Sequence, residues 1–331
     1  MGIRILKAGV ACSFRDKGRF GYQHLGIGPC GAMDTLAMKV ANALVGNHLN
    51  EAVLEMHFPA SQIEFQRDAL ICITGASFQP IINALPIPLH QPVYVRKGAE
   101  LRFQLPVEGA RAYLSVQGGF SLTQWLRSCS TDVHSKTGGH LGRLLQTGDV
   151  INLKQHNTFP SSIKKDVMVL PFSANMQRWY TDAPILCLPS THYHLLTPES
   201  KNAFEQTPFQ LTTQSNRMGY RLQGTPLHMS TRTNQISSGV VMGSVQLLPG
   251  KQCIVLMADH QTTGGYPVIA HVIAAELPRL AQLSIGAILH FKLCDTTTAV
   301  SLLQTQHRHI LQVQNASTFR LNQLANANGR P

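Results

Sequence analysis

Charge is scarce in this chain. Of its 331 residues only 14% are Asp, Glu, Lys or Arg. With 26 glycines and 18 prolines, that composition predicts a chain rich in strands and turns rather than helices. Paired cysteines are missing as well: Cys12, Cys30, Cys72, Cys129, Cys187, Cys253 and Cys294 are scattered singly with no C-x-x-C spacing, which argues against a disulfide scaffold and a zinc site. The histidines of Thr191-His192-Tyr193-His194 and His307-Arg308-His309 lack a third ligand at a recognisable spacing, so no metal is expected. No window approaches the roughly eighteen apolar residues of a membrane span. Residues 1–14 carry Arg4 and Lys7 but only brief apolar stretches, unlike a signal peptide. No membrane association is expected, and the cytoplasm is the default compartment. Gly26-x-Gly28 and Gly138-Gly139-x-x-Gly142 lack the Lys-Ser or Lys-Thr of a phosphate-binding loop, so the chain is not expected to bind ATP by itself. Residues 128–132 offer hydroxyls and a carboxylate without a nucleophile elbow.

What charge there is leans basic, with a net +11 and a pI near 9.5. The cations are dispersed; only Lys164-Lys165 and Arg308 approach a cluster, and no aromatics interleave with them. No nucleic-acid role is expected from such a pattern, and docking to an acidic protein partner is the simpler account.

The length suggests two domains, with a boundary between Lys154 and Lys165, where residues 155–162 are polar and include Pro160. The expected division is 1–155, 156–300 and a polar tail, 301–331, forming a helix fragment followed by disorder. Strand-like segments recur at residues 3–6, 63–65, 69–74, 93–95, 101–105, 111–116, 150–153, 185–188, 253–257 and 288–293. Helical patterning marks 34–45, with Asp34 as N-cap and Gly46 closing the end, and 198–204, with Thr197 as N-cap and Pro198 in the first position. A third helix is expected over 268–277.

Three segments concentrate chemistry. Residues 256–267, LMADHQTTGGYP, follow an apolar strand with Asp259, His260, Gln261, Thr262 and Thr263 and end in Gly264-Gly265-Tyr266-Pro267, so polar groups are held at a strand's rim. A turn that satisfies its own backbone is the simpler alternative. Residues 216–222 set Arg217 and Arg221 beside Asn216 and Tyr220; guanidinium forks suit planar oxygens better than lysines would. Their plain alternative is an edge strand with solvated arginines. Near the N-terminus Asp16, Arg19, Gln23 and His24 share part of this chemistry. Arg-x-Gly-Tyr-x-x-x-Gly occurs at 19–26 and again at 217–224, which two related halves or chance would both explain.

Many ordered segments carry a resemblance: DKGRFGYQHLG from Asp16, GAMD from Gly31, ANALVGN from Ala41, ITGA from Ile73, RAYLSVQGG from Arg111, STD from Ser130, GRLLQTGD from Gly142, NRMGYRLQG from Asn216, IVLMADHQTTGGYP from Ile254 and LPRLAQLSIG from Leu277. Through them the chain resembles the biotin-dependent carboxyltransferase family, which includes the C subunit of the bacterial ATP-dependent 5-oxoprolinase, the carboxyltransferase region of urea carboxylase, once labelled allophanate hydrolase subunit 2, and an antagonist of a sporulation-kinase inhibitor. The likeness runs from Ile3 to about Phe291. It departs at Cys30, His260 and Glu276, where the family has Ser, Arg and Asp. At position 260 the loss of a fixed charge would weaken anion binding if that side chain touches substrate.

The resemblance implies a mainly β fold with a few helices, arranged as two cyclophilin-like β-barrel subdomains with strands exchanged between them. It implies a subunit of an ATP-dependent 5-oxoprolinase that opens 5-oxoproline to glutamate with partner subunits A and B, ATP being used by the assembly. The alternatives are a regulatory protein that antagonises a histidine-kinase inhibitor, and a carboxyltransferase moving a carboxyl group from carboxybiotin to urea or a related amide. The last needs a biotin carrier, and this sequence has neither a Met-Lys-Met motif nor a biotin carboxylase domain. The two enzymatic readings both face an inert amide, which calls for oxyanion stabilisation and a positioned base; the regulatory one requires no turnover. On that reading Arg217, Arg221 and the backbone at Gly264 and Gly265 stabilise oxygen, while Asp259 or Tyr220 takes the proton. Asn216, Gln261, Thr262, Thr263 and Tyr266 orient a small amide or lactam. Asp16, Arg19, Gln23, His24 and Asp34 match motif positions and complete or support the cleft, although turn stabilisation and helix capping serve equally well for Asp16 and Asp34.

Overall fold

The computed structural model describes residues 2–154, 165–231 and 236–327. It is mainly β, with short strands and four α-helices among the described residues. None of those helices is long and apolar enough to cross a membrane. The chain divides into two compact units, the first made of Met1–Gly18, Asp34–Arg178 and His307–Pro331, the second of Arg19–Met33 and Trp179–Gln306. The division is therefore not the linear one expected at 155/156. Residues 19–33 belong to the second unit, tied there by bonds such as Cys30 N–H to the Ala258 carbonyl at 3.2 Å. Residues 155–164, where the sequence suggested the boundary, lie outside the described residues.

The first unit holds two six-stranded sheets. One runs Val150–Asn152, Gly2–Lys7, Gln62–Phe65, Glu100–Phe103, Pro80–Ile82, Leu85–Pro86; the other runs Val167–Val169, Pro92–Val95, Ala69–Ser77, Glu108–Val116, Val53–Met56, Ser13–Arg15. Ile3, Ile5, Ile63 and Leu101 of the first sheet and Ile71, Ile73, Val93 and Leu114 of the second share one apolar core. Helix α1, Thr35–Leu44, lies against Ala69–Ser77 and Glu108–Val116. Its Asp34 cap accepts from Ala37 N–H at 2.8 Å, as the sequence predicts.

The second unit is an eight-stranded sheet in the order Ile288–Leu289, Phe209–Leu211, Gly219–Gln223, Cys253–Leu256, Ser244–Leu247, Val268–Val272, Ile185–Pro189, Phe291–Leu293. Its first and last strands are consecutive pieces of one stretch of chain, so the sheet returns on itself as a nearly closed barrel. Expected as a single strand, 288–293 is split at His290 because its two halves pair with different neighbours. Inside, Phe204 and Phe291 stack with ring centroids 4.9 Å apart, and Phe209, Tyr220, Val255 and Ile269 fill the same core. Each such side chain contributes about 2 kcal/mol of burial. Helix α2, Pro198–Gln206, starts as predicted, with Thr197 accepting from Ser200 N–H at 3.3 Å.

Two expectations are corrected. Residues 268–277 are not a helix: Val268–Val272 is a strand paired on both sides, and helix α3 covers only Leu277–Ala281. A central strand is buried on both faces and shows no alternation, which lets its apolar run pass for a helix. The tail is not a fragment followed by disorder, since helix α4 spans Thr296–Ala327. Its inward positions Ile310, Val313, Ser317, Leu321 and Leu324 recur every three or four residues, a period masked by the Gln and Asn between them. In the first unit Gly46 makes room for this helix: a Cβ there would lie 2.9 Å from Leu321 Cδ1.

Candidate functional site

The second unit carries a cleft of about 940 Å³ on the outer face of its barrel. Alternation along three adjacent strands builds it. Tyr220 and Leu222, Cys253 and Val255, and Val245 and Leu247 point into the barrel core. Their neighbours Gly219, Arg221 and Gln223, Ile254 and Leu256, and Gln246 and Leu248 line the cleft. Arg221 pairs with Ile254 and Ile254 with Gln246, so the arginine and the glutamine share one row across the sheet, with Ile254 as the floor between them. A two-stranded ribbon, Ser238–Gly239 with Thr263–Gly264, adjoins this face, resting on the apolar cluster Val240, Leu256 and Val268.

Of the residues singled out from sequence, Asn216, Arg221, Gln261, Thr263 and Tyr266 line this one cleft. Asn216 Oδ1 also accepts from Met218 N–H at 2.8 Å, closing the turn into the strand. Arg221 is exposed and forms no ion pair among the described residues. Thr262 contributes its carbonyl to Val240 N–H at 3.1 Å. Gly264 lies against Gln246, and Gly265 approaches Ser237 Oγ.

Arg217 and Asp259 are brought together, but with each other. The guanidinium donates Nε to Oδ2 and Nη2 to Oδ1, both at 2.8 Å, and Nη2 also reaches the Gly31 carbonyl at 2.6 Å. Both carboxylate oxygens are thus engaged, so accepting a proton would break a charge-assisted bond. Neither residue lines the cleft. Tyr220 is only 2% exposed and sits in the barrel core, its hydroxyl directed to the Ala281 carbonyl at 3.5 Å. His260 does not line the cleft either. It is buried, its Nδ1 lies 2.6 Å from the Gln261 carbonyl, and burial depresses its pKa although that carbonyl and Asp259 pull the other way. Cys30 is buried in a left-handed conformation, and Glu276 accepts from Arg279 Nε at 2.7 Å while Arg279 also holds the carbonyls of Thr181, Ala183 and Pro184.

The N-terminal residues divide. Arg19, Gln23 and His24 belong to the second unit; Arg19 is buried with its N–H on the Pro29 carbonyl, Gln23 Oε1 accepts from Gly21 N–H, and His24 is exposed. Residues 19–26 turn through Gly21 and Gly26 at positive φ, whereas 217–224 contain the strand Gly219–Gln223. The shared spacing thus has no shared local structure, and both copies fall in one unit. Asp16 and Asp34 belong to the first unit. Asp16 takes Gly18 N–H, Ser128 Oγ, Cys129 N–H and Ser130 Oγ at 2.6–2.8 Å. Asp34 caps α1 and is fully buried.

Gln214, Gln223, Gln246 and Gln252, together with Thr212 and Thr213, also line the cleft and were not singled out from sequence. The available signal was a single glutamine on each of two otherwise largely apolar strands, Gln223 and Gln246. Among the described residues the lining holds one guanidinium, no carboxylate and no imidazole, a surface suited to a neutral or anionic amide. Among the described residues no group of His, Cys, Asp and Glu is placed to hold a metal.

Mainly antiparallel sheets, one nearly closing into a barrel, are here the architecture of a carboxyltransferase domain: the family model of the carboxyltransferase domain, subdomain A and B, matches residues 25–293, and the chain belongs to that family. It is 36% identical over 311 residues to the C subunit of the 5-oxoprolinase of Escherichia coli (strain K12), covering 94% of this chain and 97% of that one. The urea amidolyase of Saccharomyces cerevisiae is 28% identical over 340 residues, 98% of this chain but 18% of that protein. Among solved structures, K. lactis urea amidolyase superposes with a TM-score of 0.85 at 26% identity over 94% of this chain and 20% of its own. The chain thus corresponds to about a fifth of those larger proteins.

Proposed function

We propose that this chain is the carboxyltransferase-type subunit of an ATP-dependent 5-oxoprolinase, converting 5-oxoproline to glutamate in an assembly with subunits A and B. The observation that carries this reading is 36% identity to a 5-oxoprolinase C subunit sustained over almost all of both chains. The cleft supports it chemically. 5-Oxoproline is a planar lactam bearing a carboxylate; the Arg221 fork, in no ion pair among the described residues, suits the carboxylate, and the carboxamides of Gln246 and Gln261 suit the lactam's N–H and C=O edge, whereas Gln252 is spent on both backbone groups of Gly224. Among the described residues no acid in the lining offsets the Arg221 charge.

Within this reading the chain binds and orients. Arg217 and Asp259 act as a clasp that holds the 217 and 259 segments to the Gly31 carbonyl, and Tyr220 belongs to the barrel's packing. Proton transfer and the ATP-dependent activation of an inert amide fall to the partner subunits, so activity is expected only in the assembly. The likeness to urea amidolyases favours a second reading, carboxyl transfer from carboxybiotin to an amide nitrogen. A ureido ring presents the same carbonyl and N–H edge as a lactam, and the carboxamides that would hold it are those named above.

Reconstitution tests the reading. Purified chain, subunits A and B, ATP and 5-oxoproline should yield glutamate, and leaving out this chain should abolish it. Competent A and B subunits that give no glutamate with this chain would sink the proposal, and tight binding to the B subunit without turnover would favour the regulatory alternative.

A further inference from the structure

Gln246 is a cleft residue with a buried amide donor that the fold leaves unused. It is 4% exposed, it sits on the central strand Ser244–Leu247, and its Nε2 has no hydrogen-bond partner among the described residues. A buried amide donor without a partner is destabilising, and native folds rarely keep one without a use. Hydrophobic neighbours surround it: Val240, Ile254 and Leu256 line the same part of the cleft. Opposite it stands Gly264 of the ribbon, where an added Cβ would fall 2.5 Å from Nε2 and 3.3 Å from Val240 Cγ1. Glycine at 264 is therefore the clearance that lets the carboxamide fit and turn. Rotation about its terminal side-chain bond is soft, so the carboxamide has the freedom to reorient at little cost.

Register supplies the other half of the argument. Arg221, Ile254 and Gln246 form one row across three neighbouring strands, so the guanidinium and carboxamide stems start about 10 Å apart at the usual strand spacing. Ile254, between them in the row, supplies an apolar floor to the cleft. A flat ligand with an anionic group at one end and a carbonyl at the other fits between them.

We propose that Gln246 is the specificity-determining residue of this cleft, its Nε2 donating to the ring carbonyl of a cyclic amide whose carboxylate is held by Arg221, with Gly264 as the residue that keeps its carboxamide free. This rests on the reading of the chain as a 5-oxoprolinase subunit. It adds a contact that neither the family likeness nor the motif residues assign.

The test exploits a difference between a structural amide and one held for a ligand. In the complete assembly, Gln246→Leu should raise the KM for 5-oxoproline about 10- to 100-fold with kcat changed much less, while the melting temperature of the chain stays level or rises, because an apolar side chain replaces an unpartnered donor. Gln246→Glu, which keeps the shape and substitutes an acceptor for the donor, should raise KM at least as much. Gly264→Ala, which crowds Nε2, should raise KM in the same direction. A Gln246→Leu assembly with wild-type KM overturns the inference, as does a variant whose lower activity tracks a lower melting temperature. Should the wild-type assembly form no glutamate at all, the underlying reading falls and takes this inference with it; an active wild type with an indifferent Gln246→Leu removes the inference alone.

Discussion

Asp16 in the first unit and Gln246 in the second are both buried polar side chains, and the fold treats them oppositely. Asp16 is saturated by two serine hydroxyls and two backbone N–H groups. Gln246 keeps an amide nitrogen with no partner among the described residues, beside a cleft. A carboxylate looks more like a functional group than a carboxamide does, yet the saturated one is spent on holding a loop, and the unsatisfied one retains bonding capacity. Residue type proposes chemistry; what remains unbonded after folding decides where it can act.

The largest effect that would test this contrast is on the saturated side. Asp16→Ala strands four donors around a buried site and should lower the unfolding free energy by about 4 kcal/mol, read from urea denaturation of the whole chain; a loss under about 1 kcal/mol would mean the carboxylate is no anchor. Next comes the clasp of the second unit. Arg217→Ala leaves Asp259 and the Gly31 carbonyl without their donor, and a loss of about 3 kcal/mol is expected by the same measurement. An unchanged midpoint would return Arg217 and Asp259 to the list of groups free for chemistry.

His90 sharpens the comparison because it is an orphan of another kind. In the first unit its Nε2 is buried with no partner among the described residues, and burial lowers its pKa from 6.5 to about 4. Between those values the unfolded chain holds a proton that the folded chain does not. Stability is thus fully present above pH 6.5 and declines as pH falls toward 4, by about 2 kcal/mol after allowance for solvent. His90→Leu should flatten that window in melts taken across it; an unaltered pH profile would show that the imidazole is solvated. The smallest effect on stability belongs to the cleft. Arg221→Gln should change the unfolding free energy by less than about 0.5 kcal/mol, while the assembly's KM for 5-oxoproline rises about tenfold. A stability loss with KM unchanged would place Arg221 with Asp16 rather than with Gln246.

Local signals are legible along the chain itself. The Asp34 and Thr197 caps and the predominance of strands follow from residue type and spacing. Signals that depend on distant partners are not. Nothing in residues 268–272 tells a strand buried on both faces from a helix, and the polar residues of α4 hide its inward period. Asp259 and Arg217, 42 positions apart, spend their charges on each other. Several motifs that carry the family likeness prove to be internal scaffolding: Asn47 donates to the Val116 carbonyl at 2.8 Å, and Arg143 grips Asp149 through two bonds.

The sequence by itself determined which stretches extend, where two helices begin, and that amides, hydroxyls and guanidinium are concentrated within 216–223 and within 256–267, because those properties are set by side chains a few positions apart. Only the tertiary structure decided that the barrel closes through 288–293, that Arg217 and Asp259 neutralise one another, and that Gln246 comes to share a row with Arg221. The reason is physical: a hydrogen bond between residues remote along the chain exists only once strand register is fixed, and register is set by burying one face of every strand against the same core.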